Sequence, residues 1–425
     1  MEVTCLEYQT FLQILKEELV PAMGCTEPIA LAYCAALARK NLGYLPNKVL
    51  IEVSGNILKN VKSVIVPNTN GQKGIEAAVA AGLLYGKPEL VLQVISEVTE
   101  EEKNALPAYM KNTEFVVETC KSDEVLDIRI TAYNDDASAK VRIARSHSFV
   151  TLIEKNNEVI YEHALLEEKR AEQLDRKCLS VEKIIDFANV VNIDDVKPTL
   201  QRQIDFNSAI AKEGLKNPYG ANVGKVLLNH YGNDVSIRAR AMAAAGSDAR
   251  MSGCELPVII NSGSGNQGMT ASLPVIEYAK ELKVSDDELY RALVVSNLIT
   301  IHLKTGIGRL SAYCGVVSAG AGAASGIAYL HGGRYDAIAH TIVNALATVS
   351  GMICDGAKPS CAGKIASAVE AGLLGYRMYL DGQQFYGGDG IISKGVENTI
   401  ENIGRLGSDG MKETDEEIIR IMLNC

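Results

Sequence analysis

A chain of 425 residues, 47% of them apolar, can bury a large core, and at roughly one domain per ~150 residues it has room for two or three domains. A formal net charge of −10 with scattered lysines and arginines excludes the clustered basic face that a nucleic-acid partner would need, so a small ligand fits better. Ten cysteines, no tryptophan and 5% aromatics imply a reducing, cytoplasmic setting in which thiols are ligands or core residues, and a core packed largely by Ala and Gly.

Met1 to Thr10 holds two acidic residues and no basic stretch, so nothing there reads as a leader. Phe11, Leu12, Leu15 and Leu19 recur at helical spacing with Lys16, Glu17 and Glu18 outward, predicting a helix over 7–19 that Pro21 ends. Met23-Gly-Cys-Thr-Glu-Pro28 then reads as a turn, with Thr26 as N-cap and Pro28 in the first turn of a helix over 27–40. Cys25 thus stands just ahead of a helix N-terminus, whose field favours the thiolate and makes it a candidate base or nucleophile. The plain alternative is a cysteine buried in a tight turn.

From 47 to 160 the period shortens. Residues 48–54, 63–66, 114–118, 125–132, 139–144 and 158–162 read as strands, and the last three alternate as a sheet with one wet face should. Helices are expected over 74–85 and 88–98. Gly55-Asn56 closes the first strand, where ligand contacts collect, so Asn56 is a candidate substrate contact beside the commoner reading of a turn asparagine. The lone His147 is left out.

The mixed-charge run 163–178 marks a boundary. The resulting organisation is α+β: N-terminal helices over 1–44 packing on the helical part, a small mixed domain over 45–170, and a large, mostly helical domain over 171–425. Helices are expected over 180–190, 194–213, 221–231, 234–246, 270–282, 286–302, 310–330, 335–350, 362–376 and 413–424. A homodimer through the exposed face of the mixed domain is one arrangement that nothing in the sequence proves.

Asn261-Ser-Gly-Ser-Gly-Asn-Gln-Gly268 contains a G-x-G-x-x-G pattern, but its flanks read helical and no βαβ unit follows, which opposes a dinucleotide fold. Backbone amides in a glycine loop ahead of a helix also make an anion site that suits a carboxylate. Ser262, Gly263, Ser264, Gly265, Asn266 and Gln267 are therefore candidate substrate contacts, against the alternative of a structural turn. Next, His302, Lys304 and Arg309 lead into an uncharged run from Leu310 to Gly333. That run is long enough for a membrane span, but its Ala, Gly and Ser favour a tightly packed interior helix.

Cys314 in Ser311-Ala-Tyr-Cys-Gly315, with Cys354 and Cys361 in Gly351-Met-Ile-Cys-Asp-Gly-Ala-Lys-Pro-Ser-Cys-Ala-Gly-Lys364, are three thiols among small residues. Gly356 and Pro359 stop a helix and let the loop fold back. No Cys-x-x-Cys occurs, so the spacing suits an iron–sulfur cluster with one open iron better than zinc. Simple burial of three cysteines competes evenly with that reading. Asp355 and Lys358 are ambiguous between site and solvated loop, and the terminal Cys425 is not counted.

Pro21-Ala-Met-Gly-Cys-Thr-Glu-Pro28, the 261–268 loop and Cys354-Asp-Gly-Ala-Lys-Pro-Ser-Cys-Ala362 together resemble the L-cysteine desulfidase family, which is related to the iron–sulfur-dependent L-serine dehydratases. The resemblance runs from about residue 10 to 410. It implies an oxygen-sensitive 4Fe-4S cluster on Cys314, Cys354 and Cys361, with Cys25 in the position of the family's active-site cysteine. L-cysteine would be converted to pyruvate, ammonia and sulfide. An L-serine or L-threonine dehydratase with the same cluster is the nearest rival, and a non-catalytic amino-acid-binding metalloprotein is the rival from another class.

Overall fold

The computed structural model describes residues 4–122, 124–163, 176–308 and 310–423. The fold is α+β, with a mixed six-stranded sheet in the N-terminal half and a large helical region after it. Most of the 163–178 boundary run, Arg309 and Cys425 lie outside the described residues.

Helix α1 (Cys5–Glu18) starts on a reciprocal cap between Thr4 and Glu7. Strand β1 (Pro21–Met23) leads into α2 (Thr26–Leu42), and here Cys25, not Thr26, is the N-cap. Thr26 is the first helical residue, and its hydroxyl donates to the Gly263 carbonyl at 2.9 Å. β2 (Lys48–Val53) is followed by α3 (Gly55–Val61), α4 (Gly74–Tyr85) and α5 (Glu100–Asn112) before β3 (Glu114–Thr119). The sheet is completed by the meander β4 (Asp127–Asn134), β5 (Ala137–Ala144), β6 (Val150–Lys155) and β7 (Glu158–Glu162). Strand order is β3-β2-β4-β5-β6-β7, with β2 and β3 parallel and every other pair antiparallel. α2 lies on β4 and β5, where the Cys34 thiol reaches the Val141 carbonyl.

Several expectations are corrected here. Residues 63–66 form no strand but a single bridge, Ile65 to Lys73. The helix expected over 88–98 is a short 3₁₀ segment, Pro88–Gln93, broken at Val91, and the true helix starts later on the Thr99–Glu102 capping box. Asn56 sits in the first turn of α3 rather than in a strand-end turn.

The helical half runs α6 (Val181–Val190), α7 (Ile193–Lys216), α8 (Val223–Tyr231), α9 (Val235–Met251), strand β8 (Pro257–Ile259), α10 (Gly265–Leu282), α11 (Asp286–Ile307), α12 (Val316–Leu330), α13 (Tyr335–Val349), α14 (Cys361–Leu380), α15 (Val396–Arg405) and α16 (Lys412–Leu423). α12 is the Ala/Gly/Ser-rich run, and it is buried among α10, α11, α13 and α14. Its small residues let backbones meet: a methyl group on Gly320 would lie 2.4 Å from the Ala368 carbonyl oxygen. It begins at Val316 rather than 310, because Cys314 and Cys354 pair the two loops there. The Cys314 amide donates to the Met352 carbonyl at 3.1 Å, and the Cys354 amide to the Ala312 carbonyl at 2.6 Å. Among the described residues no helix is long and apolar enough to cross a membrane. The main apolar core runs from Phe11 through the sheet to Ile403.

Candidate active site

Two short strands far apart in the chain build the first wall of the site. β1 pairs antiparallel with β8, Pro21 facing Ile259 and Met23 facing Pro257, and this sets the Gly24–Cys25 turn against the glycine loop. Asn207 of α7 holds β8 from its other edge, accepting from the Ile259 amide at 2.9 Å. Gly24 has φ +61, and a methyl group there would stand 2.8 Å from the Pro67 ring, so the turn admits glycine alone without strain.

The glycine loop turns back on itself through mutual hydrogen bonds between the Asn261 and Ser264 backbones. It then enters α10 with Ser264 as N-cap. The first-turn amides of a helix have no intrahelical acceptor, so this end of α10 offers donors and partial positive charge.

These elements enclose a cavity of about 100 Å³. Among the predicted residues Cys25, Gly263, Ser264, Asn266 and Gln267 line it, and so do all three cysteines, Cys314, Cys354 and Cys361. Ser262 and Asn56 instead line an adjoining cavity of about 840 Å³. Lys304, Leu310 and Ser311 border both. Gly265 lines neither, but it has a reason to be glycine: a methyl group there would lie 2.4 Å from Arg250 Nε.

Arg250, at the end of α9, escaped the sequence reading. It is buried, lines the small cavity, and donates from Nε to the Gly24 carbonyl at 2.9 Å and from Nη1 to Asn266 Oδ1 at 3.1 Å. It makes no ion pair among the described residues. These hydrogen bonds go to neutral acceptors, and the Glu27 carboxylate in the same cavity feels the charge of Arg250. Its signal in the sequence was faint, a lone cation closing an Ala-rich helix.

Glu27 and Asn60 also line the cavity unforeseen, joined by a 3.0 Å hydrogen bond from Asn60 Nδ2 to Glu27 Oε1. His147, in the turn between β5 and β6, stands 3.8 Å from Glu27 Oε1, an ion-pair distance rather than a hydrogen bond. Burial acts to raise the Glu27 carboxyl, yet His147 and Arg250 outweigh it and hold it down at about 2.

The thiolate expected at Cys25 is corrected. Burial pushes its thiol up to about 12, and Arg250 offsets this only in part. At rest the side chain is a thiol, its sulfur 3.8 Å from Met251 Sδ. Burial likewise raises the Cys314 thiol to about 12, with Cys354 and Cys361 adding to the effect.

The ambiguous charges separate. Asp355 pairs with Lys358 and Lys364, which against the effect of burial hold its carboxyl at about 2, and the trio braces the 354–361 loop. His302 is bound to Glu397 at 2.7 Å, and that carboxylate also accepts from the Val181 amide; this pair lines neither cavity.

The donor set can be tested against a metal centre. Among the described residues no group of three His, Cys, Asp or Glu side chains is drawn together as a single ion would require. Cys314, Cys354 and Cys361 all line the one cavity, and thiols are the ligand type that an iron–sulfur cluster takes. The nine cysteines among the described residues are all free of disulfides, as ligation requires.

The chain is similar to known proteins over nearly its whole length. Residues 89–420 match the family model described as serine dehydratase alpha chain. The chain is 66% identical over 417 residues to a UPF0597 protein of Desulfitobacterium hafniense (strain Y51), covering 98% of this chain and 97% of that protein. It is 52% identical over 421 residues to a UPF0597 protein of Lachnoclostridium phytofermentans, covering 98% and 100%. A UPF0597 protein of Treponema denticola is 48% identical over 423 residues, covering 98% of each.

Proposed function

The chain belongs to the serine dehydratase alpha chain family, and on that premise we propose that it is a cytoplasmic lyase that eliminates sulfide from L-cysteine, giving pyruvate and ammonia. One observation carries the reading: Cys25, the N-terminal turn of α10 and the three cysteines line a single cavity sized for a small molecule.

Cys314, Cys354 and Cys361 would hold a 4Fe-4S cluster, which when bound supplies a Lewis acid to help the substituent on the β-carbon leave. The residues of the chain do the rest. The substrate carboxylate accepts from the first-turn amides of α10 and lies beside the Arg250 guanidinium. That places Cα against Cys25. Cys25 takes the α-proton, the Cβ–S bond breaks with its electron pair on sulfur, and 2-aminoacrylate remains. It tautomerises and takes up water, releasing ammonia and pyruvate.

Because Cys25 rests as a thiol, it must give up its proton before it can act as the base. The positive charge of Arg250 and the N-terminus of α2 favour that step against the burial that opposes it.

Serine is the second substrate reading, favoured by the description of the family. The same residues serve a hydroxyl leaving group equally well. Sulfide released from L-cysteine and pyruvate released from L-serine, measured in one anaerobically reconstituted preparation, decide between them. Turnover of serine alone overturns the cysteine assignment. Binding of either amino acid with no ammonia released overturns the lyase.

A further inference from the structure

The anion side of the cavity, Arg250 with the end of α10, accounts for a carboxylate. Opposite in chemistry, and unused by the elimination, is a group of acceptors in the same cavity: the Glu27 carboxylate, the Asn60 amide oxygen and the Gln267 amide oxygen. Asn60 and Gln267 are about 6% and 5% exposed, and among the described residues neither of these buried oxygens has a hydrogen-bond partner. A buried polar atom left unpaired costs about 1–3 kcal/mol, so such atoms mark a place where something else binds.

The three acceptors come from separate parts of the fold, α2, α3 and α10, so local turn geometry does not explain why they share one cavity. Gln267 is held in place by Gly315, where a methyl group would strike its amide at 2.6 Å. Asn60 spends its NH₂ group on Glu27, which leaves its oxygen for a ligand. Burial acts against charge on Glu27, while His147 at 3.8 Å and Arg250 act to keep its carboxyl low.

We infer that Glu27, Asn60 and Gln267 form an ammonium subsite, so that the cavity recognises the α-amino acid zwitterion by both of its charges. An ammonium group carries three N–H donors, which matches one carboxylate and two unpaired amide oxygens. This deepens the proposed function, on whose site it rests, and it makes a free α-ammonium the selection criterion whichever β-substituent leaves. 2-Oxo acids are excluded, because they would bury Glu27 against a carbonyl oxygen, and 2-hydroxy acids are disfavoured, because one neutral O–H donor meets three acceptors. Glu27 touches substrate in this arrangement, and His147 is a positioning residue acting through it.

The test uses the anaerobically reconstituted full chain and calorimetric binding of two probes, L-alanine and propionate. L-alanine carries both charges and no leaving group, whereas propionate lacks the ammonium. Wild-type protein is expected to prefer L-alanine by at least about 10-fold. Glu27→Gln should weaken L-alanine about 10- to 100-fold, the range for a hydrogen bond to a charged group, and leave propionate within about threefold. A merely structural role for Glu27 would weaken both probes alike. Equal affinity of the wild-type protein for the two probes overturns the inference without recourse to any variant. So does a Glu27→Gln protein that keeps the preference. Neither probe is turned over, so a protein that binds L-alanine as described but releases no ammonia from cysteine or serine refutes the lyase and leaves the ammonium subsite standing.

Discussion

Replacing Gly265 by alanine probes the site through a residue whose missing side chain lies outside both cavities. Gly265 is the first residue of α10 and has ordinary helical backbone, so alanine there would normally gain about 0.5–1 kcal/mol from the smaller entropy of the unfolded chain. The added methyl group would lie 2.4 Å from Arg250 Nε, 2.8 Å from Cζ and 2.6 Å from Val258 Cγ2. Arg250 cannot yield freely, because it is buried and fastened to Gly24 and Asn266. Surrendering one of those charged hydrogen bonds costs about 1.5–3 kcal/mol, which exceeds the entropic gain. The expected net effect is a destabilisation on the order of 1–2 kcal/mol. Gly363→Ala, in the first turn of α14 with nothing within 4 Å, is the matched control and should be stabilised by about 0.5–1 kcal/mol. Denaturant midpoints of the two variants and wild type, taken anaerobically, measure both. KM for the amino acid should also rise about 10-fold in Gly265→Ala, with kcat less affected, since the guanidinium is moved off its carboxylate position. If Gly265→Ala is as stable as Gly363→Ala and keeps the wild-type KM, Arg250 is neither fixed nor used as described.

Cys25→Ala should lower kcat by about 10²–10⁴-fold while iron and acid-labile sulfide stay at wild-type levels, because it removes a general base and no ligand. Full turnover in that variant would refute the base assignment. Cys354→Ser should lose both iron and acid-labile sulfide in protein purified without oxygen, and retention of a complete cluster would show that this cysteine is not a ligand. Asp127 is buried in the sheet and bound by Arg129 and Arg142. Burial acts to raise its carboxyl, but the two guanidinium groups outweigh this and leave it below the ordinary aspartate value. With the folded pKa below the unfolded one, its contribution is fully present above about pH 4 and is lost as pH falls further. Thermal scans from pH 6 to pH 3 should show that loss in wild type, and Asp127→Asn should be less stable by about 3 kcal/mol at pH 7 with a flatter acid limb. An Asp127→Asn protein as stable as wild type would leave the ion-pair account without support.

The division into a mixed sheet and a helical half was legible in the sequence, because periods of 2 and 3.6 are local properties and β4, β5 and β7 alternate clearly. So was the interior nature of α12, since Ala, Gly and Ser are too weakly apolar for lipid but small enough for close helix contacts. Each of the three motifs was visible as well, because glycines, prolines and cysteines declare themselves over a few residues. The errors were also local: residues 63–66 are apolar enough for a strand but find no ladder partner beyond one bridge, and α5 was hidden behind a polar, acidic first turn.

What no window along the chain could decide is which groups meet. Arg250, Glu27, Asn60 and His147 are ordinary polar residues of helices and a turn, separated by up to 223 positions, and nothing in their neighbourhoods marks them. Pairing of β1 with β8 and packing of α2 on the sheet bring the first three to one cavity and set His147 beside Glu27. The state of Cys25 depended on the same step: a helix N-terminus is read from a few residues, but the burial that overrides its field is a property of everything packed around it. Local patterning therefore determined the elements and their chemistry, while the tertiary structure alone decided their charge states and their company. Desolvation and charge pairing act through space, and the order of residues along a chain does not encode that distance directly.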